Sequence, residues 1–188
     1  MTYEVERKQL EGLLLQHPEE DILSYGQSIL KLVPELIVCA ECEHGNPAHI
    51  YNVFEHSLHV VVGVRSDLRL KLAALFHDIG KPYVKTWYDG WFRYGGHPEV
   101  SVTLTKLILQ RLGYEEALIG EISKLVKYHD HRVSPDRVSV QEMVNQLGKE
   151  NFERLLELQR SDMVAHEPEY AKGMLIKLNE VEKIYSEM

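Results

Sequence analysis

The sequence predicts an all-α fold, an orthogonal multi-helix bundle carrying one small β-hairpin at about residues 84–94. Three observations lead there. Apolar residues recur at spacings of three and four in about eight or nine successive segments, punctuated by Gly or Pro. A single stretch, around Asp89-Gly90, has the aromatic runs and turn residues of paired strands. Histidines and aspartates fall at segment ends or inside apolar runs, where a bundle brings side chains from separate helices together.

In chain order, the first segment places Val5, Leu10, Leu13, Leu14 and Leu15 at roughly helical spacing and stops at Gln16-His17-Pro18. Ile22 to Leu32 reads as a second helix halted before Pro34, and Glu35 to Cys42 as a short third. Gly45, Asn46 and Pro47 make a turn of the stretch from Glu43 to Ile50. Asn52 to Val64 is a buried helix, with Val53, Phe54, Ser57, Val60, Val61 and Val64 at helical spacing. Asp67 can cap the next one, Leu68 to Ile79, because its side chain can accept from the free N–H groups of a first turn. Val84 to Tyr88 and Trp91 to Tyr94 flank Asp89-Gly90 as a hairpin. Gly95-Gly96-His97-Pro98 leads into a helix from about Glu99 to Leu112. Further helices span about Glu115 to His129, Ser139 to Leu147, Lys149 to His166 and Glu169 to Glu187.

Composition bounds the class. The 188 residues, 44% hydrophobic and 27% charged, fit one globular domain over 1–188, able to bury roughly 70% of its unfolded surface. No apolar run approaches the length of a membrane span, and no secretion signal is present, so a cytoplasmic protein with no membrane partner is expected. A net charge of −8 argues against wrapping duplex nucleic acid, which needs a basic face. Cys39-Ala40-Glu41-Cys42 has the spacing of a redox or zinc motif. It lacks a second cysteine pair and the surrounding βαβ pattern, so ordinary reduced cysteines are expected. The amphipathic first and last helices offer faces through which two copies could pair as a homodimer.

The chemistry concentrates in Leu72 to Pro82, L-A-A-L-F-H-D-I-G-K-P. His77 and Asp78 close an apolar helical run, where an unpartnered buried polar group costs about 1–3 kcal/mol and a charge more. A hydrogen-bonded pair at a helix end would satisfy them; so would a metal ion. Imidazole nitrogen with carboxylate oxygen suits Fe, Mn, Co, Ni or Zn, and Lys81 stands close enough to meet an anionic ligand. The pattern recurs at His56 within Val53 to Leu58, at His97 after the hairpin, at His129 closing Leu125 to Tyr128, and at Asp162 after Leu155 to Leu158.

In this order the residues resemble the HD-domain superfamily of metal-dependent phosphohydrolases, whose pattern is a His, an adjacent His-Asp and a distant Asp, all on helices. More narrowly, Asn46 to Leu58, His77 to Pro82, Asp89 to His97 and Arg160-Ser161-Asp162 look like the HD domain attached to some bacterial tRNA nucleotidyltransferases. The resemblance spans about 46–166. It implies that His56, His77, Asp78 and Asp162 hold one divalent metal, and that His97 and His129 add a second with Asp78 bridging. His131 is an alternative to His129, while His49 and His59 are expected to be non-ligands.

It further implies hydrolysis of a small, nucleotide-derived phosphate ester by metal-bound hydroxide, with Asp78 and Lys81 catalytic and Lys81 and Arg160 contacting phosphate. No Gly-Ser…Asp-x-Asp signature of a nucleotidyltransferase head is present, so nucleotide addition is not expected. The alternatives are a non-catalytic, metal-containing nucleotide-sensing or partner-binding module, and a di-iron oxygenase of the same fold. Trp87, Trp91 and Tyr94 suit either cross-strand packing or stacking on a base.

Overall fold

A computed structural model describes residues 2–16, 21–45 and 47–188, with Thr2 described in its backbone only. The expected helix stop at His17-Pro18 and the turn residue Asn46 lie outside the described residues. The N-terminal helices are α1 (Thr2–Leu15) and α2 (Ile22–Leu32), a 3-10 turn (Pro34–Leu36) and α3 (Ile37–Ala40). Next come α4 (Val53–Gly63), α5 (Leu68–Phe76) and α6 (Lys81–Val84), and then the strands β1 (Thr86–Tyr88) and β2 (Trp91–Arg93). The remaining helices are α7 (His97–Arg111), α8 (Glu116–Tyr128), α9 (Arg137–Leu147), α10 (Lys149–Val164) and α11 (Pro168–Ser186). Strand content among the described residues is the one antiparallel hairpin, so the all-α architecture holds. No helix in the described residues is long and apolar enough to cross a membrane.

The bundle is organised around α5. Leu70, Leu72, Ala73, Ala74, Leu75 and Phe76 are all fully buried, because α5 is enclosed by α1, α4, α8 and α10. Each such large side chain contributes roughly 1.5–3 kcal/mol relative to exposure. Lys71 shares this interior and satisfies its ammonium by donating to the Val61 carbonyl at 2.6 Å. Asp67 caps α5 as expected, accepting from Arg69 and Leu70 N–H.

The boundaries differ from expectation where special residues act. Pro34 opens a 3-10 turn, because a proline in the first turn leaves no N–H unsatisfied. The helix expected to reach Ile79 stops at Phe76, and the chain turns through His77 to Gly80 before α6 restarts at Lys81-Pro82. A Cβ on Gly80 would come within 2.5 Å of the His97 carbonyl and 2.6 Å of Ser101 N. Only glycine lets this turn lie against the start of α7. Gly63 brings α4 close to α10, where a Cβ would meet the hydroxyl of Ser161, a side chain that would have to turn aside. Cys39 and Cys42 are buried free thiols; Cys39 donates toward the Ile79 carbonyl, and burial pushes its thiol upward.

Candidate metal centre

Five helix ends or faces deliver the polar residues to one place. The ends of α5 and α8 leave carbonyls without intrahelical partners, and the histidine that follows each helix fills that gap. His77 Nδ1–H donates to the Ala74 carbonyl at 2.8 Å, and His129 Nδ1–H to Val126 at 2.7 Å. His97, on the first turn of α7, donates Nδ1–H to Tyr94 at 2.9 Å, and His166 to the Asp162 carbonyl at 2.7 Å. A carbonyl can only accept, so each Nδ1 carries the proton. That leaves Nε2, the nitrogen turned away from the helix, as the one a metal can take, as in metal-ligating histidines.

The Nε2 atoms of His56, His77, His97 and His129 converge with the carboxylates of Asp78 and Asp162 in two groups. His97 Nε2 lies 3.1 Å from His129 Nε2, and Asp78 Oδ1 is 3.2 and 3.5 Å from the two. On the other side His56 Nε2 is 2.9 Å from Asp162 Oδ1, and His77 Nε2 is 3.8 Å from the same oxygen. Asp78 Oδ2 completes the link, 3.2 Å from His77 Nε2 and 3.8 Å from His56 Nε2. His56, His77 and Asp162 have their ligand atoms within 4.8 Å of one another, as do Asp78, His97 and His129, and the second oxygen of Asp78 faces the first group.

The donor set fits divalent metals. The Nε2 atoms of His97 and His129 face each other at 3.1 Å, a spacing held either by a proton shared between them or by a cation that both ligate. His77 Nε2 and His56 Nδ1 are buried without a hydrogen-bond partner, and beyond the Lys81 ion pair neither oxygen of Asp78 receives one. Burial raises the Asp78 carboxyl, but His77 and Lys81 outweigh it and hold it well below the usual carboxylate range. Asp162 is likewise held low against its burial by His56. Two buried carboxylates with Lys81 as the nearest fixed cation leave negative charge that bound metal would balance.

All six expected ligand residues thus meet in one centre, and His129 rather than the exposed His131 takes the sixth place. Lys81 is buried beside it, its ammonium 2.7 Å from Asp78 Oδ2 and 3.2 Å from His44 Nε2. Arg160 is a correction. It points from α10 to α11, where Glu182 and Asn179 engage its guanidinium, and it does not line the cavity. Arg160 and Asp162 are two residues apart on α10, a rotation of about 200° that puts them on opposite faces.

Sequence reasoning missed four neighbours. His49 and His166 line the cavity and form a third group with His56. His44 stacks on His49 with centroids 3.6 Å apart; burial, then Lys81, lowers it to about 3, so it stays neutral and accepts from Lys81. Arg132 reaches within 3.7 Å of Asp162 Oδ2. The one available signal was the i, i+4 spacing of Asp162 and His166. His59 stacks on Tyr51 and belongs to none of the three groups.

The sequence pattern described as HD domain matches residues 48–176, well over half the chain. The chain belongs to the HD-domain family. That membership places it in a superfamily of metal-dependent phosphohydrolases, whose domains bind divalent metals. The HD-domain chain is 30% identical over 112 residues to the CC-adding tRNA nucleotidyltransferase of Thermus thermophilus, covering 56% of this chain and 26% of that protein. It is 33% identical over 124 residues to the A-adding tRNA nucleotidyltransferase of Deinococcus radiodurans, covering 62% and 28%. Against the multifunctional CCA protein of a Janthinobacterium species it is 29% identical over 109 residues, covering 54% and 25%. The chain therefore spans little more than a quarter of the curated relatives it matches.

Proposed function

We propose that this HD-domain chain is a phosphohydrolase that cleaves a small, nucleotide-derived phosphate ester with the help of two divalent ions. The convergence of bare imidazole nitrogens on both oxygens of Asp78 carries the reading. His56, His77 and Asp162 would hold one ion, His97 and His129 the other, and Asp78 would touch both. When bound, such ions supply a water acidified toward pH ~7 and positive charge for phosphoryl oxygens.

The chain's own residues do the rest. Lys81 is pinned between Asp78 and His44, so its ammonium is positioned for a non-bridging phosphoryl oxygen without losing side-chain freedom on binding. Arg132, tied to the His129 carbonyl at 3.1 Å, offers a second cation beside the centre. A cavity of about 630 Å³ opens from the centre, and Met163, Met174, Leu178 and Val181 give it an apolar side between α10 and α11. That side suits a nucleoside, excluding water while the polar side holds phosphate. The buried free thiols agree with a reducing, cytoplasmic setting. Nucleotidyl transfer, named for the relatives, is not carried over, because the matched stretch covers only about a quarter of them.

The test is hydrolysis of a generic phosphodiester and a generic phosphomonoester by metal-stripped chain resupplied separately with Mn, Fe(II), Co, Ni and Zn, beside Asp78→Ala. Metal-dependent turnover that vanishes in the variant is expected. Stoichiometric metal binding with no turnover under any metal would instead favour a sensing module.

A further inference from the structure

The hairpin exposes more aromatic surface than its packing uses. Trp87, Tyr88 and Trp91 are 64%, 57% and 52% exposed, although aromatic pairs in a hairpin ordinarily cover one another. Register sorts them into two faces. Trp87 stands opposite Phe92, their centroids 5.1 Å apart, and Phe92 is seated against Gly45. Thr86, Tyr88, Trp91 and Arg93 share the other face, since paired residues point the same way and alternate ones agree. Asp89 and Gly90 fix this register with positive φ at both turn positions, 48° and 87°, the twist a two-residue hairpin needs.

This second face is joined to the metal centre. Arg93 lies 3.8 Å over the Tyr88 ring and lines the cavity. The next residue, Tyr94, donates its hydroxyl to the His44 carbonyl at 2.6 Å, and its own carbonyl takes the His97 Nδ1–H. Trp91 has no aromatic partner among the described residues. A free indole face on the same side of the hairpin as an oriented arginine that lines the cavity has the chemistry of a nucleobase joined to a phosphate. The apolar side between α10 and α11 already provides for one nucleoside, so the hairpin provides for a second. The net charge of −8 favours a short ligand over a long polyanion.

We infer that Trp91, with Arg93 laid across Tyr88, docks one nucleoside of a phosphodiester whose other nucleoside occupies the cavity. The substrate class is then a dinucleotide-sized diester rather than a mononucleotide. This rests on the phosphohydrolase reading for its chemistry but not for its binding.

Both tryptophans of the chain lie in the hairpin, so fluorescence excited selectively at tryptophan reports on it alone. The full metal-loaded chain is titrated with a hydrolysis-resistant phosphorothioate of adenylyl-adenosine and with adenosine monophosphate. Saturable quenching is expected, about tenfold tighter for the dinucleotide, kept in Trp87→Phe and lost in Trp91→Phe. In turnover, Trp91→Ala raises KM for adenylyl-adenosine about tenfold and leaves p-nitrophenyl phosphate hydrolysis unchanged. Absent quenching, quenching that follows Trp87, equal affinity for the mononucleotide, or equal loss on both substrates overturns the inference. Quenching that behaves as expected without any turnover sustains the docking face and defeats the phosphohydrolase reading.

Discussion

The dipeptide His-Asp ends two helices of this chain, at 77–78 after α5 and at 129–130 after α8. Locally the two are the same object. His77 has φ −55° and ψ −37°, His129 φ −56° and ψ −37°. Each ring donates to the carbonyl three residues back, and the turn closes alike, Ile79 N–H to Phe76 and His131 N–H to Tyr128. The aspartates then part. The Asp78 side chain is 1% exposed with both oxygens turned to histidines; that of Asp130 is 55% exposed and pairs with Arg132. Helix termini set the histidine, while the packing around the next residue decides whether its carboxylate can serve a metal.

The largest test of that contrast exchanges each carboxylate for its amide. Asp78→Asn should lower metal affinity and any metal-dependent turnover by more than about 100-fold, whereas Asp130→Asn should change neither by more than about twofold. Metal content and rate on the two variants decide it; a loss in Asp130→Asn comparable to that in Asp78→Asn would end the distinction.

Next in size is the response to pH of the metal-free chain. Burial, opposed by Asp162, lowers His56 from 6.5 to about 4. Between those values the unfolded chain holds more protons, so this contribution is complete above pH 6.5 and is lost as pH falls toward 4. It is on the order of 3 kcal/mol. His129 is lowered by burial and acts in the same direction. His77 acts oppositely: burial would lower it, but Asp78 and Asp162 raise it, so its contribution fades as pH rises. Denaturant melts from pH 7 to 4 should therefore show a steep loss in the wild type and a shallower one in His56→Gln.

Smaller again is the residue two beyond each histidine's aspartate. Gly80→Ala must displace the backbone at His97 and Ser101, costing about 1–3 kcal/mol and several degrees of Tm. Arg132→Ala, at the matching position after α8, should cost less than about 1 kcal/mol while weakening substrate binding. Thermal melts that rank the two the other way would show that close approach at Gly80 is not what separates the turns. The smallest effect is expected for Arg160→Ala, which breaks only the half-exposed pairing with Glu182 and Asn179: below about 1 kcal/mol, with turnover unchanged.

The helices and the hairpin were legible because their signals are local, whereas the six candidate ligands were picked out by their order along the chain and the family resemblance that order carries. Apolar spacing, Asp67 before α5, Asp89-Gly90 between strands and histidines closing apolar runs each depend on neighbours a few residues away. His44, His49 and Arg132 were not legible, since nothing in their own segments distinguishes them from loop residues. They matter only because His44, with His49 stacked on it, reaches Lys81 and because Arg132, in the turn after α8, reaches Asp162. Arg160 misled for the same reason: adjacency along a helix says little about which face a side chain takes.

The sequence by itself determined which histidines would end helices and therefore which ring nitrogen each would leave bare, because a helix terminus lacks partners wherever it stands. Only the tertiary structure decided that five such elements share one centre and that Asp78, not Asp130, lies within it. Burial and convergence belong to contacts between helices distant in the chain, where glycines at 63 and 80 permit an approach that no local pattern encodes.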